Sequence, residues 1–206
     1  MNNSALLIFT RAPIPGQTKT RLIPLLGAQG AAEFHQTTLR KTLAHAIVSN
    51  YKQIEIWYDG ERNHPFLKKC SLDFNSTLHT QQGENLGEKM HHAIQNALKK
   101  NTLVTLIGSD CPALTADILN QAYTHLSCST SVTLGPTQDG GYYLIGMHQA
   151  NAAIFQGINW GENTVIEQTR KNLAKAGIEH IELATLADID TPKDYQQYMH
   201  LVAQIA

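Results

Sequence analysis

The segment Arg11-Ala-Pro-Ile-Pro-Gly16-Gln-Thr-Lys19-Thr20-Arg21 places three cations in eleven residues, and no acid appears in the chain before Glu33. Nothing close in sequence neutralises them. Arginine grips phosphate oxygens bidentately and lysine adds a compact point charge. Gly16 lets the backbone approach a ligand and frees N–H groups to point at an anion. Such a loop suits a di- or triphosphate, with Arg11, Gly16, Lys19, Thr20 and Arg21 as candidate nucleotide-binding residues. It is neither a Gly-x-x-x-x-Gly-Lys-Ser/Thr loop nor a Gly-x-Gly-x-x-Gly fingerprint.

Phosphates in a protein site call for a divalent cation, and two acids are placed to hold one. Asp110, in Gly108-Ser109-Asp110-Cys111-Pro112, directly follows the apolar run Leu103–Ile107. An acid at the end of a buried strand is poorly solvated unless it binds a cation or caps a helix. Asp190, in Asp188-Ile-Asp190-Thr191-Pro192, could supply a second carboxylate, although Thr191 and Pro192 also read as a helix start. Mg2+ or Mn2+ beside phosphates takes one or two protein carboxylates and completes its shell with water and phosphate oxygens. Asp110 and Asp190 are therefore the candidate metal ligands, with Ser109 beside the nucleotide.

Three further groups suit the rest of a substrate. Asp139-Gly140-Gly141-Tyr142 could hold a sugar or acceptor, with backbone close to it and a carboxylate on its hydroxyls; Asp-Gly is equally a hairpin signal. Asn85, Leu86 and Gly87 open a helix and could contact a base or ribose, although the flanking Glu84 and Glu88 also match a helix dipole. Trp160 could stack on a ligand, or anchor a loop. His91 and His92 are adjacent on a helix, so their side chains diverge by roughly 100° and suit one metal poorly.

These residues need a scaffold that gathers them. Strands are expected at Ala5–Thr10, Gln53–Tyr58, Leu103–Ile107 and Glu179–Leu183. Helical spacing covers Ala28–Ser49, Leu86–Ala97, Thr115–Leu126 and Val165–Ala176, the last ending at Gly177 as a left-handed cap. A final helix starts at Thr191 with Pro192 and Asp194 as a capping-box-like opening. Alternating strands and helices predict an α/β domain with a mostly parallel, doubly wound sheet. Ser131–Pro136, the Asp139-Gly-Gly turn and Tyr142–Met147 read as strand, turn, strand, an antiparallel insertion. Ligands of such sheets lie beyond the carboxyl ends of the strands, where the basic loop, Asp59, Asp110 and Asp188–Thr191 fall.

The 206 residues suit a single domain, 1–206, with 42% apolar and 16% charged residues. Sixteen basic against 17 acidic residues give no general attraction to polyanions, so neither nucleic acid nor a membrane surface is an expected partner. The apolar run Ala5–Phe9 is far short of a membrane span and lacks the flanks of a signal peptide. Cys70, Cys111 and Cys128 are odd in number, without Cys-x-x-Cys spacing. They fit a reduced, cytoplasmic protein, with Cys111 and Cys128 as buried apolar filler.

Taken together, Arg-x-Pro-x-Pro-Gly-x-x-Lys-Thr-Arg-Leu, Gly-Ser-Asp-Cys-Pro, Gly-Pro-x-x-Asp-Gly-Gly-Tyr-Tyr-Leu-Ile-Gly and Asp-Ile-Asp-Thr-Pro resemble a bacterial family. It was first catalogued as of unknown function and is often labelled arsenosugar-biosynthesis glycosyltransferase. It lies within the GT-A-like nucleotide-diphospho-sugar transferase superfamily and is related to 2-phospholactate guanylyltransferases. The likeness runs from Leu6 to about Tyr198. It implies a three-layer GT-A sheet with one antiparallel strand and a nucleotide over its carboxyl edge. It also implies metal ligation at Asp110 and Asp190, and an Asp139–Tyr142 loop facing the acceptor or sugar.

The expected activity is metal-dependent transfer from an activated nucleotide, foremost glycosyl transfer from an NDP-sugar to a small acceptor. The metal would neutralise the departing diphosphate, Arg11, Lys19 and Arg21 would stabilise its oxygens, and Asp139 or Asp188 would act as acceptor base. The rivals are nucleotidyl transfer from an NTP with release of pyrophosphate, and a non-catalytic nucleotide-binding module.

Overall fold

The computed structural model describes residues 3–128 and 131–205. Its centre is a seven-stranded sheet: β1 (Ser4–Arg11), β2 (Gln53–Asp59), β3 (Thr77–Thr80), β4 (Leu103–Gly108), β5 (Val132–Pro136), β6 (Tyr142–Met147) and β7 (His180–Glu182). They lie in the order β3-β2-β1-β4-β6-β5-β7, and β6 alone runs against its neighbours β4 and β5. The expected sheet, mostly parallel with one reversed strand, is the observed one.

The helices cover both faces because the central strands are apolar on both sides. On β1, Leu6 and Ile8 point to one face, and Ala5, Leu7 and Phe9 to the other. The first face is covered by α1 (Ile23–Ile47), α2 (Pro65–Asp73) and α4 (Ala116–Ser127), through Leu39, Leu43, Leu67, Leu119 and Leu126. The second is covered by α3 (Leu86–Leu98) and α5 (Val165–Lys175), through Met90, Ile94, Ile166 and Leu173. The closing helix α6 (Pro192–Ile205) reaches a smaller cluster in which Leu22, Ala31 and Ile189 meet Phe34, Tyr195 and Tyr198. That cluster ties the end of the basic loop to α1 and to the chain beyond Asp188.

Several local expectations hold. Gly177 takes φ +65° after α5. At α6, the Thr191 N–H and hydroxyl and the Asp190 N–H all donate to Asp194 Oδ2, at 2.8, 2.7 and 3.2 Å. Helix α1 begins at Ile23 rather than Ala28, but Gly27 (φ 70°, ψ 167°) breaks it one residue before the expected start.

Two elements had no forecast. Helix α2 buries only Leu67 and Cys70, and the four-residue β3 buries none of its side chains fully, so neither carries a periodic apolar face. Cys111 is buried as expected, whereas Cys128 is exposed at the end of α4, so the filler reading fails for it. Among the described residues no helix is long and apolar enough to cross a membrane.

Candidate active site

Strands β1, β2 and β4 end at one edge, delivering Arg11, Asp59 and the Gly108-Ser109-Asp110 segment to it. Because β6 is reversed it begins where they end, which brings the Asp139–Tyr142 turn to the same edge. The chain beyond β7 follows: Gln138 N–H donates to Leu186 O at 3.0 Å and Ile189 N–H to Asp110 O at 3.0 Å, setting Asp188–Asp190 beside Asp110. The result is a cleft of about 720 Å³.

Most of the sequence-derived candidates line this cleft: Arg11, Lys19, Thr20, Arg21, Asn85, Leu86, Ser109, Asp110, Asp139, Gly141, Tyr142, Trp160 and Asp190. Gly16, Gly87, Gly140 and the alternative base Asp188 are not in its wall. Gly16 is exposed and turns the loop at φ +82°. Gly87 lies under Trp160, where a Cβ would come within 2.7 Å of the indole; it makes room for a wall residue rather than being one. Gly140 sits behind its turn, where a Cβ would meet Asn163 O at 1.9 Å.

The basic loop is internally braced. Thr18 Oγ1 donates to Ala12 O at 2.8 Å, and the Gln17 and Thr18 N–H groups donate to Ile14 O at 3.0 and 3.2 Å. Its three cations meet different fates. Arg11 is exposed and Arg21 has 71% of its side chain open. Lys19, in the left-handed region at φ 50°, ψ 44°, is turned inward. Its Nζ lies 2.9 Å from Asp110 Oδ1 and donates to Asp190 Oδ1 at 2.8 Å and Ile189 O at 2.6 Å, with 6% of the side chain exposed. The expectation of an unneutralised loop is corrected here: the acids missing from the first 32 residues arrive from β4 and the segment after β7.

Burial opposes the Lys19 charge, but attraction to Asp110 and Asp190 and hydrogen bonding to them outweigh it and hold its pKa above the ordinary lysine value. Burial pushes the Asp110 carboxyl up, yet Lys19 and His35 bring it below the usual range. Asp110 Oδ1 is sealed from solvent, while 46% of its side chain remains open; the open share of Asp190 is 43%. Each acid thus gives one oxygen to Lys19 and keeps another for the cleft. Burial, with Asp139 and Asp190 nearby, raises the Asp188 carboxyl to about 6.

The donor set fits a divalent cation. Asp110 and Asp190 stand in the cleft wall with 46% and 43% of their side chains open, and two protein carboxylates are what Mg2+ or Mn2+ takes beside phosphate. Among the described residues no group of three or more His, Cys, Asp or Glu is assembled, so a divalent cation here would have to complete its shell with water and substrate oxygens.

Other wall residues escaped sequence reading. His35 of α1 is 3% exposed; its Nε2 lies 3.0 Å from Thr10 Oγ1, and its Nδ1 is 3.8 Å from Asp110 Oδ1. Its one signal was a polar ring on the buried face of α1, between Ala31, Ala32 and Leu39. Gln81, just past β3, donates from Nε2 to Thr10 O at 3.1 Å and Trp57 O at 3.0 Å, tying two strand ends together. Lys89 pairs with Asp59 at 2.8 Å. Asn85 caps α3 by accepting the Glu88 N–H at 3.0 Å, so its side-chain oxygen is engaged in the helix start.

A three-layer domain with this strand order and a cleft at its carboxyl edge has the nucleotide-diphospho-sugar transferase fold. The chain belongs to the family described as uncharacterized protein conserved in bacteria (DUF2064), whose profile matches residues 42–162. A candidate nucleotide-diphospho-sugar transferase from Desulfovibrio desulfuricans G20 is 32% identical over 93% of this chain and 84% of its own, with a TM-score of 0.84. A nucleotidyl transferase from Methanothermobacter thermautotrophicus aligns over 100% of both chains at 11% identity and a TM-score of 0.64. Glucosyl-3-phosphoglycerate synthase from Mycobacterium tuberculosis, in complex with Mn2+, UDP and glucosyl-3-phosphoglycerate, covers 96% of this chain and 76% of its own at 9% identity and a TM-score of 0.56. The structural relatives thus include transferases of both glycosyl and nucleotidyl groups. No curated protein matches the chain.

Proposed function

We propose that the protein is a transferase acting on an activated nucleotide, and that it moves a glycosyl group from an NDP-sugar to a small acceptor. The observation that carries this reading is the convergence of Asp110 and Asp190 on one cationic centre, flanked by the exposed Arg11 and Arg21. Mg2+ or Mn2+ held by Asp110 and Asp190 would supply charge neutralisation at the departing diphosphate.

The chain's own residues do the rest. Arg11 and Arg21 grip the phosphates, with Lys19 and Thr20 behind them and Ser109 alongside; such cations stabilise the charge that grows on the leaving oxygens. The start of α3 at Asn85 and Leu86 holds the nucleoside end. Gly141, Tyr142 and Trp160 shape the acceptor end. Asp139, exposed on the cleft wall, takes the acceptor's proton; Asp188, half-buried beside Asp190 and with its carboxyl raised to about 6, is the reserve candidate. The arsenosugar-biosynthesis likeness supports a glycosyl donor.

A basic loop directly after the first strand also suits an NTP, and a full-length structural relative is a nucleotidyl transferase, which favours nucleotidyl transfer as the second reading. One experiment separates them. The purified protein is incubated with NDP-sugars or NTPs, Mn2+ and a panel of small acceptors, and the released product is identified. NDP release supports glycosyl transfer and pyrophosphate release supports nucleotidyl transfer. Binding of nucleotide with no turnover on any acceptor would leave a nucleotide-binding module.

A further inference from the structure

Asp110 and Asp190, the pair given above to a divalent cation, already share a cation of the chain's own. The Lys19 ammonium donates to Asp190 Oδ1 at 2.8 Å and Ile189 O at 2.6 Å, lies 2.9 Å from Asp110 Oδ1 as an ion pair, and has almost no exposure. The Arg21 guanidinium stands 3.8 Å from Asp190 Oδ2. Two negative charges therefore face two positive ones before Arg11, at the end of β1, is counted. Asp139 in the cleft wall and Asp188 nearby add negative charge farther out, but at the two carboxylates themselves Lys19 and Arg21 offset the charge that would draw in a dication, and an ammonium a few ångströms from a bound dication repels it.

We propose that Lys19 is an internal counter-cation that keeps Asp110 and Asp190 from holding a divalent cation by themselves, so that the site takes the cation only together with the diphosphate of its nucleotide. The inference rests on the transferase reading above and names the form in which its substrate arrives. The diphosphate brings the missing negative charge and offers Lys19, Arg11 and Arg21 new acceptors. Cation and diphosphate then tighten each other's binding by the same factor.

Two other roles for Lys19 predict different signs. If it were a strut that shapes the two acids, its removal would weaken cation binding. If it were only a phosphate ligand, its removal would leave cation binding unchanged. As a counter-cation, its removal strengthens cation binding.

The test measures melting temperature with Mn2+ alone, pyrophosphate alone and both together, on the parent, Lys19→Met and Lys19→Gln, with Mn2+ affinity from electron paramagnetic resonance. Pyrophosphate serves as the diphosphate common to NDP-sugars and NTPs. The parent should gain no stability from Mn2+ alone and more from the mixture than from pyrophosphate alone, and Lys19→Met should bind Mn2+ alone at least about tenfold more tightly than the parent. Lys19→Gln keeps a hydrogen-bond donor without the charge and should show the same gain if the Met variant folds poorly. The proposal is overturned if Mn2+ alone stabilises the parent as much as the mixture does, or if neither variant gains Mn2+ affinity. In both cases the transferase reading stands, provided the parent binds Mn2+ with pyrophosphate. If the mixture does nothing to the parent or the variants, that reading falls as well.

Discussion

Asp110 and Asp139 are both carboxylates in the wall of the cleft, and they are held in opposite ways. Asp139 Oδ1 accepts from the Thr137 hydroxyl at 2.5 Å and from the Gly141 N–H at 3.1 Å, partners two residues away on either side. Asp110 is balanced by Lys19, which comes from the loop after β1. The same lysine also reaches Asp190, 171 positions further along the chain. Local partners make Asp139 a turn residue that keeps an open side. Distant partners make Asp110 part of a charge cluster that exists only once the sheet has formed. A carboxylate satisfied by its own turn can lose its charge at almost no cost, whereas one that shares in neutralising a buried lysine loses it at a cost its co-partners only partly absorb.

The turn is most directly broken at Gly140. With φ +90° and Asn163 O at 1.9 Å from any added Cβ, Gly140→Ala should cost about 3 kcal/mol. At 2–4 °C per kcal/mol that is roughly a 6–12 °C fall in melting temperature. A fall under 2 °C in thermal denaturation would show that the turn is not anchored on Asn163.

The distant pairing is broken by Asp110→Asn. Nucleotide binding in the presence of Mn2+ should weaken by about 3 kcal/mol, on the order of a hundredfold. The melting temperature should move by only a few degrees, because Asp190 and Ile189 O still hold Lys19. Unchanged affinity by calorimetry would remove Asp110 from the metal role.

Asp139→Asn sharpens the contrast, because it preserves the oxygen that Thr137 and Gly141 use. Stability should change by no more than about 0.5 kcal/mol, while a lost general base lowers turnover by about a hundredfold or more. Parental turnover, measured once a donor and an acceptor are in hand, would pass the base role to Asp188.

Arg11→Ala separates a phosphate contact from a structural one. A charge-assisted contact is worth roughly 1.5–3 kcal/mol, or about 10- to 150-fold in affinity. Nucleoside diphosphate should bind that much more weakly and the bare nucleoside as before, with folding stability within about 0.5 kcal/mol of the parent. Equal weakening of both ligands would place Arg11 away from the phosphates.

The smallest effect concerns Asp188. Its carboxyl is raised to about 6, above its value in an unfolded chain, so the folded state holds the proton longer. Stability contributed by this group therefore falls as pH rises between about 4 and 6, and the penalty persists above that. Asp188→Asn should stabilise the protein by about 1 kcal/mol near pH 7.5, a figure reduced for the partial openness of the site, and by nothing near pH 3.5. Melting curves at the two pH values check it.

Sequence reading recovered what depends on neighbours along the chain. The alternation of apolar runs with helical spacing fixes the layers, because each element must bury its apolar face against another. The Asp139-Gly-Gly turn is a local preference, and so is the Thr191–Asp194 cap. These features are set within a few residues, so a single chain read in order contains them. Helix α2 and strand β3 lay beyond that reach, since they bury too little apolar surface to leave a pattern.

The charge state of the site was out of reach in a different way. Lys19 looked unneutralised because its acids are supplied by β4 and by the segment after β7. His35 reaches Asp110, Gln81 ties β1 to β2, and Gly87 yields its space to Trp160, each through contacts between distant parts of the chain. Electrostatic balance depends on distance in space rather than along the chain. The sequence by itself determined which charged residues gather at the carboxyl edge, because strand direction puts them there. Only the tertiary structure decided which of those charges cancel and which, as with Arg11 and Arg21, stay open to a ligand.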